Sequence, residues 1–138
     1  MGLPGSGKTT LSDKLAPLIK AKRVNADEVR KKFNDWDFSL EGRIRQSNRM
    51  NEISDKATFE GEHVITDFIC PTKEARSKFN ADYVIWMNTI IAGRFEDTNQ
   101  MFQKPENSEF NFEVKEKNAN KYKSLIFDDL KKTYKIIT

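Results

Sequence analysis

An α/β fold, with a mainly parallel sheet and helices on both faces, follows from three features of this 138-residue sequence. Strand-length apolar runs alternate with stretches of helical periodicity. The run Tyr83 to Met87 (YVIWM) is apolar without interruption, as in a parallel strand covered on both sides. A Gly-rich turn, Gly2 to Gly7, leads directly into a helical pattern.

Each element has a local cause. Leu11, Leu15, Leu18 and Ile19 share one helical face, which predicts a helix from about Lys8 to Ile19, with Pro17 bending its last turn. A short strand at Lys22 to Asn25 leads into a helical turn, Ala26 to Phe33, N-terminated by Asp27 or Asn25. Asn34 to Ser39 reads as a loop. Ser39 caps a long helix that runs to about Glu60, with Ile44, Met50, Ile53 and Ala57 at helical spacing. Gly42 is the weak point of its first turn, and Gly61 ends it. Val64 to Asp67 is a short buried strand that finishes on a carboxylate. Pro71 breaks the chain, and Thr72 caps a helix to about Phe79.

After the YVIWM strand, Asn88 to Ser108 is polar and irregular and reads as a mobile flap, since loops this long are usually functional. Phe110 to Val114 alternates like an edge strand. Asn118 to Tyr134 is a final helix with Tyr122, Leu125, Ile126, Leu130 and Tyr134 on one face. No repeat or low-complexity tract interrupts this order, so residues 1–138 read as one domain.

Composition narrows the function classes. Lys plus Arg number 24 and Asp plus Glu 21, and a net charge of +3 argues for neither a nucleic-acid nor a membrane partner. The ten Phe, two Trp and three Tyr argue against disorder. A single cysteine, Cys70, excludes an internal disulfide, and with a single histidine, His63, it leaves no set of zinc ligands. No apolar run approaches the roughly 20 residues of a membrane helix, and no secretory signal opens the sequence. A reducing, cytoplasmic setting is expected.

Chemistry is concentrated in the first turn. Gly2-Leu3-Pro4-Gly5-Ser6-Gly7-Lys8-Thr9 satisfies G-x-x-x-x-G-K-[ST], and the required helix follows at once. The glycines let backbone N–H groups turn toward phosphate oxygens, and the helix behind them adds a positive dipole end. Lys8 supplies charge to the β- and γ-phosphates, and the Thr9 hydroxyl can ligate Mg²⁺. With Thr10, these residues form the expected ATP site of a P-loop kinase fold. Such a loop normally follows a strand at mid-sheet, and only Met1 precedes it here. The expectation is a chain that starts late. The alternative, a sheet without that strand, would leave its neighbours unpaired.

Four blocks in series resemble the adenylylsulfate kinase family. They are GLPGSGKTT at 2–10; Asn25-Ala26-Asp27-Glu28-Val29-Arg30, similar to Asp-Gly-Asp-Asn-x-Arg; Asp37-Phe38-Ser39-Leu40-Glu41-Gly42-Arg43 with Arg45, Gln46 and Arg49, similar to Gly-Phe-Ser-x-x-Asp-Arg and an arginine-rich helix; and Asp67-Phe68-Ile69-Cys70-Pro71 with Arg76, similar to Ser-Phe-Ile-Ser-Pro followed by Arg. They span most of residues 2–80. The resemblance implies transfer of the ATP γ-phosphoryl group to the 3′-hydroxyl of adenylylsulfate. It puts Asp27 on the catalytic aspartate near Mg²⁺ and the acceptor hydroxyl, and residue chemistry agrees, because phosphoryl transfer needs a carboxylate that orients the incoming hydroxyl. The competing role for Asp27 is a helix N-cap.

The resemblance also puts Arg30 and Arg43 on the phosphosulfate, Phe38 on the adenine of the substrate, Gln46 where the family usually has Asn, and Phe68 and Ile69 on the pocket floor. Arginine forks suit such oxyanions. Arg45 and Arg49 are as readily a solvated helix face, and Phe68 and Ile69 as readily plain core. Asp67 stands where the family usually has Ser, and two roles are open to it: a water-mediated contact with Mg²⁺, or a cap on the strand end. His63 reads as structural, and Cys70 as a small spacer, since no base accompanies it.

The second half departs from the family, which carries an Arg-Asp pair, a Lys-Gly-Leu-Tyr element and a Phe-Thr-Gly run in its flap. Arg94 and Asp97 are the candidates for that pair, with Arg94 placed to neutralise charge on the transferring group; the Lys-Gly-Leu-Tyr element is absent. This motivates two competitors, a kinase for another hydroxyl acceptor (nucleoside, sugar or polynucleotide end) and a nucleotide-binding module without catalysis. The expected partners are small molecules, with a homodimer left open. Guanine-reading Asn-Lys-x-Asp and transporter Leu-Ser-Gly-Gly-Gln motifs are absent.

Overall fold

A computed structural model describes residues 1–134. The elements in chain order are α1 (Lys8–Ile19), β1 (Lys22–Asn25), α2 (Ala26–Phe33), α3 (Leu40–Phe59), β2 (Val64–Asp67), α4 (Lys73–Phe79), β3 (Ile85–Met87), α5 (Glu96–Met101), a 3₁₀ turn (Asn107–Glu109), β4 (Phe112–Val114) and α6 (Ala119–Tyr134). The strands form two parallel pairs, β1 with β2 and β3 with β4. The parallel α/β architecture expected from the sequence is therefore present, with its sheet in two halves.

Met1 and Gly2 stitch those halves together. The Met1 amino group donates to the Ile85 carbonyl at 2.8 Å, the Met87 N–H donates to the Met1 carbonyl at 2.8 Å, and the Gly2 N–H donates to the Ile69 carbonyl at 3.3 Å. The phosphate-loop turn thus begins between the ends of β2 and β3, where its residues meet both.

Helices cover the two pairs with separate cores. Leu11, Leu15 and Ile19 of α1 pack with Tyr122, Ile126 and Leu130 of α6 and with Met87 and Val114 of β3 and β4. Val24, Val29 and Met50 form the second core, with Ile53, Val64, Phe68 and Phe79 packed against it. Side chains as enclosed as Leu15, Met50 and Ile126 each contribute about 1.5–3 kcal/mol by leaving water.

Caps fix the boundaries. Asn25 accepts from the Glu28 N–H at the start of α2, Ser39 from Gly42 at the start of α3, and Thr72 from Ala75 at the start of α4. Gly61 follows α3 with φ 88°.

Four expectations need correction. Ile44 and Leu125 lie at helical spacing but are exposed, because α3 and α6 are covered over a narrower stripe than their apolar positions define. Regular pairing in the YVIWM strand is confined to Ile85–Met87, and Tyr83 instead hydrogen-bonds Asp129 of α6. The fourth strand begins at Phe112 rather than Phe110. The segment 88–108 is not irregular throughout, since it contains α5.

Candidate active site

The phosphate loop owes its shape to backbone conformation. Gly7 adopts φ 101°, a left-handed geometry that a side chain disfavours, and it caps α1 without any side-chain acceptor. The first-turn amides of α1 consequently point from an uncapped, positive helix end into a cavity of about 790 Å³. Lys8 curls over the loop, donating to the carbonyls of Gly2 and Leu3, each at 2.9 Å. Burial lowers its pKa, opposed by the nearby Asp67 and Asp27 carboxylates.

Pro4, Gly5, Gly7, Lys8, Thr9 and Thr10 line the cavity. Gly2, Leu3 and Ser6, also expected to bind nucleotide, do not line it; they are buried and form the base of the loop.

The ends of β1 and β2 lie beside Thr9. Asp67 is 4% exposed, and its Oδ2 accepts from the Thr9 hydroxyl at 3.0 Å, Asn25 Nδ2 at 2.9 Å and Arg23 Nη2 at 3.2 Å. Asp27 is exposed and lines the same cavity. Because Asn25 caps α2, Asp27 is released from the capping role that competed for it.

The other wall of the cavity is made of side chains. Arg30, Phe38, Arg43, Gln46, Phe68 and Ile69 all line it, as does Arg94, so every residue expected at the acceptor is brought to one space. Arg30 is 5% exposed; its Nη1 donates to the carbonyls of Asp35 at 3.0 Å and Asp37 at 3.2 Å, and its guanidinium lies 4.3 Å from the Phe38 ring centre. Arg43 Nε donates to the Phe38 carbonyl at 2.9 Å. Gln46 donates to the Ala26 carbonyl at 2.9 Å, which leaves its buried Oε1 without a protein partner. Phe68 serves both cavity and core, since it packs on Phe79 at 5.2 Å between ring centres.

Arg45 stays exposed and Arg49 half-buried, but both are paired with carboxylates. Arg45 reaches Asp35 at 3.1 Å and Asp37 at 2.9 Å, and Arg49 lies 2.8 Å from Asp35. These pairs clamp loop 34–39, which carries Phe38. Hydrogen bonds from Arg45 and the Asp37 N–H hold the Asp35 carboxyl well below the usual range. Bonds from Ser39 and Arg45 hold Asp37 at about 2. Gly42 is required here, because a Cβ on it would lie 2.1 Å from the Asp37 carbonyl oxygen.

The flap is docked at both ends. At the near end the Thr89 hydroxyl donates to the Ser6 carbonyl at 2.6 Å, and inside the flap Asn99 accepts from the Gly93 N–H at 2.7 Å and donates to the Gly93 carbonyl at 2.9 Å. Buried Arg76 ties the far end down through the carbonyls of Cys70, Pro71 and Gln103. Asp97 pairs with Arg43 at 3.2 Å, not with Arg94. Arg94 is exposed, 5.5 Å from the Phe95 ring centre.

Sequence reasoning passed over Trp36, Phe95, Thr98 and Lys117, which also line the cavity. Trp36 was findable, being an aromatic two residues before Phe38 in the same loop. Cys70 is buried, and burial pushes its thiol up to about 11, consistent with a spacer. His63 is exposed and outside the cavity.

Among the described residues no three His, Cys, Asp or Glu side chains gather as a metal cluster. The oxygen donors at hand, Thr9, Asp67 and Asp27, suit Mg²⁺, which takes few protein ligands beside nucleotide phosphates and water. No helix of the described residues is long and apolar enough to cross a membrane.

The chain is similar to several known proteins. The family model for adenylylsulphate kinase matches residues 1–90. A probable adenylyl-sulfate kinase of Aeropyrum pernix is 34% identical over 85 residues, covering 55% of this chain and 45% of that protein, so the match spans less than half of the curated relative. The structure of the Mycobacterium tuberculosis APS kinase in complex with AMPPNP and APS superposes with a TM-score of 0.78 at 18% identity, covering 95% of this chain and 94% of the other. At that identity the likeness concerns the fold.

Proposed function

The chain belongs to the adenylylsulphate kinase family, and from that premise we propose that it transfers the γ-phosphoryl group of ATP to the 3′-hydroxyl of adenylylsulfate, giving 3′-phosphoadenylylsulfate in a cytoplasmic sulfate-activation step. The observation that carries this reading is the single cavity shared by the phosphate loop and the arginine–aromatic wall, with Asp27 among its lining residues.

In this reading the amides of the phosphate loop and Lys8 hold the ATP phosphates. Arg30 and Arg43 hold the phosphosulfate of the acceptor, and Phe38 stacks on its adenine over the floor of Phe68 and Ile69. Gln46 offers its unpartnered Oε1 as an acceptor beside them. Asp27 takes the proton of the 3′-hydroxyl as its oxygen bonds to the γ-phosphorus and the bond to the β-phosphate oxygen breaks, releasing ADP. Lys8 and Arg94 oppose the charge that spreads over the transferring group. Thr9 and Asp27, with Asp67 nearby, would hold Mg²⁺, which when bound neutralises phosphate charge.

The test is incubation with Mg²⁺ and ATP, with and without adenylylsulfate, with products resolved by chromatography. The expected product is 3′-phosphoadenylylsulfate, lost in Asp27→Asn. Phosphorylation of a nucleoside, sugar or polynucleotide end while adenylylsulfate stays intact would transfer the assignment to another acceptor. Binding of ATP with no acceptor phosphorylated would leave a nucleotide-binding module.

A further inference from the structure

Four aromatic side chains line the cavity: Trp36, Phe38, Phe68 and Phe95. Three of them have partners within the chain. The Arg30 guanidinium lies 4.3 Å from the Phe38 ring centre, that of Arg94 lies 5.5 Å from the Phe95 ring centre, and Phe68 packs on Phe79. Among the described residues the Trp36 ring has neither an aromatic nor a cationic partner, and it joins neither core. It stands 51% exposed at the cavity. Indole offers a cation the best π-face of any side chain, yet none of the arginines that grip this loop rests on it.

The backbone on either side of Trp36 is held. The Asp37 N–H donates to Asp35 Oδ1 at 3.2 Å, closing a turn with Trp36 at its centre. Arg30 bonds the two flanking carbonyls, those of Asp35 and Asp37, and Arg45 pairs with both flanking carboxylates. Arg49 adds a second hold on Asp35. These contacts fix the residue before the tryptophan and the residue after it, and leave the indole itself free. The turn is therefore ordered before any ligand arrives, which is what a preorganised contact requires.

The charge beside the ring narrows its use. Arg30 and Arg43 line the same cavity as Trp36 and Phe38. Guanidinium forks suit phosphoryl oxyanions, and a flat indole suits another flat π-system. A nucleotide carries both groups, whereas a sugar phosphate carries only the first. Phe38 can offer a base only the face turned away from Arg30, so an unpartnered ring two residues away supplies further aromatic area.

We propose that Trp36 is a base-stacking, specificity-determining residue of the acceptor site, and that the acceptor is a nucleotide. The inference rests on the reading of this cavity as the acceptor site of a kinase, and not on adenylylsulfate as that acceptor.

The experiment follows tryptophan emission during titrations, with the phosphate loop first filled by a non-hydrolysable ATP analogue. The titrants are adenylylsulfate, the 5′-monophosphates of adenosine, guanosine, cytidine and uridine, and ribose 5-phosphate. A base that stacks on indole quenches it. At least one nucleotide should quench saturably, and ribose 5-phosphate should not. The quench should vanish in W36F, where the buried Trp86 alone emits. In W36A the Kd of that nucleotide, by equilibrium dialysis, should rise about 10-fold or more, as loss of one base–aromatic stack does, with the affinity for the ATP analogue unchanged. W36F should recover most of the loss, and W36L, which has bulk but no π-face, should not. A purely structural tryptophan would move both affinities together.

No quench by any nucleotide, a quench that persists in W36F, or a W36L chain that binds as tightly as W36F would each overturn the assignment. If W36A or W36L does not fold, as judged by thermal melts, the quench in the unmodified chain and its loss in W36F decide alone. Quenching by a different nucleotide, with adenylylsulfate left unphosphorylated, keeps Trp36 in its role and removes the proposed reaction. Formation of 3′-phosphoadenylylsulfate with an unaltered acceptor KM in W36A keeps the reaction and removes Trp36.

Discussion

Two helices begin at the wall of one cavity, and their N-termini are finished in opposite ways. At α1 the cap is Gly7, with no side chain to offer, and the first turn faces the cavity without a protein acceptor. At α3 Ser39 accepts from the Gly42 N–H at 3.2 Å, and the Asp37 carboxylate accepts from the Ser39 N–H at 2.9 Å. The first terminus is open, whereas the second is already satisfied from within the chain. The phosphate-loop wall is therefore mainly backbone, shaped by glycine, and the wall proposed for the acceptor is side chains held by other side chains.

The largest effect is expected where the open terminus meets the ammonium of Lys8. Lys8→Ala should lower turnover about 100-fold or more, as removal of a donor aimed at developing charge does. Initial rates at saturating ATP and acceptor check it. Near-normal turnover would mean that the uncapped helix end does its work without the ammonium.

Next comes the backbone contact that closes the second terminus. A Cβ at position 42 would lie 2.1 Å from the Asp37 carbonyl oxygen, and backbone cannot yield as a flexible side chain can. Gly42→Ala should cost about 1–3 kcal/mol of stability in a thermal melt. Because loop 34–39 carries Phe38, the KM for the acceptor should rise more than the KM for ATP. Equal rises in both would show that the two walls are not independent.

Acid should then release the clamp. The Asp35 carboxyl lies well below the ordinary range and that of Asp37 lies at about 2. A carboxylate whose folded value is depressed stabilises the fold fully above its unfolded pKa, about 4, and the contribution fades as pH falls through the folded value. Trp36 sits in the clamped loop and reports on it, in a Trp86→Phe background. Its emission should hold steady from neutral pH to about 4 and change only as pH approaches the lower values. A transition centred on an ordinary carboxylate value would mean that the arginine pairs hold nothing in solution.

The same contrast explains what the sequence made legible. Gly7, Lys8 and Thr9 announce the phosphate loop because backbone geometry needs a fixed local spacing. Asn25, Ser39 and Thr72 mark helix starts within a turn of themselves. The acceptor wall needs partners far along the chain. Arg43 and Asp97 are separated by 54 positions, and no local pattern joins them. Nor does periodicity reveal α5, a six-residue helix held by buried Thr98 and by the grip of Asn99 on Gly93. Asp97 was legible as a flap residue, but not as the partner of Arg43. Arg45 and Arg49 read no better as a functional pair than as a wet helix face, because their carboxylates lie on a loop that looks unstructured.

The smallest effect is the most direct test of the contrast. Ser39→Ala removes the side-chain acceptor of the Gly42 N–H and makes the start of α3 chemically more like that of α1. The loss of the cap should cost about 1 kcal/mol in a thermal or denaturant melt. It should not create a second anion site, because the Asp37 carboxylate still stands on that turn and repels an incoming negative charge. ATP affinity should accordingly be unchanged, and the acceptor should bind no tighter. If the acceptor instead bound more tightly to the Ser39→Ala chain, the α3 terminus would be able to hold an anion once uncapped, and the division between an open wall and a closed one would lie in that single hydroxyl and not in the charged clamp around it.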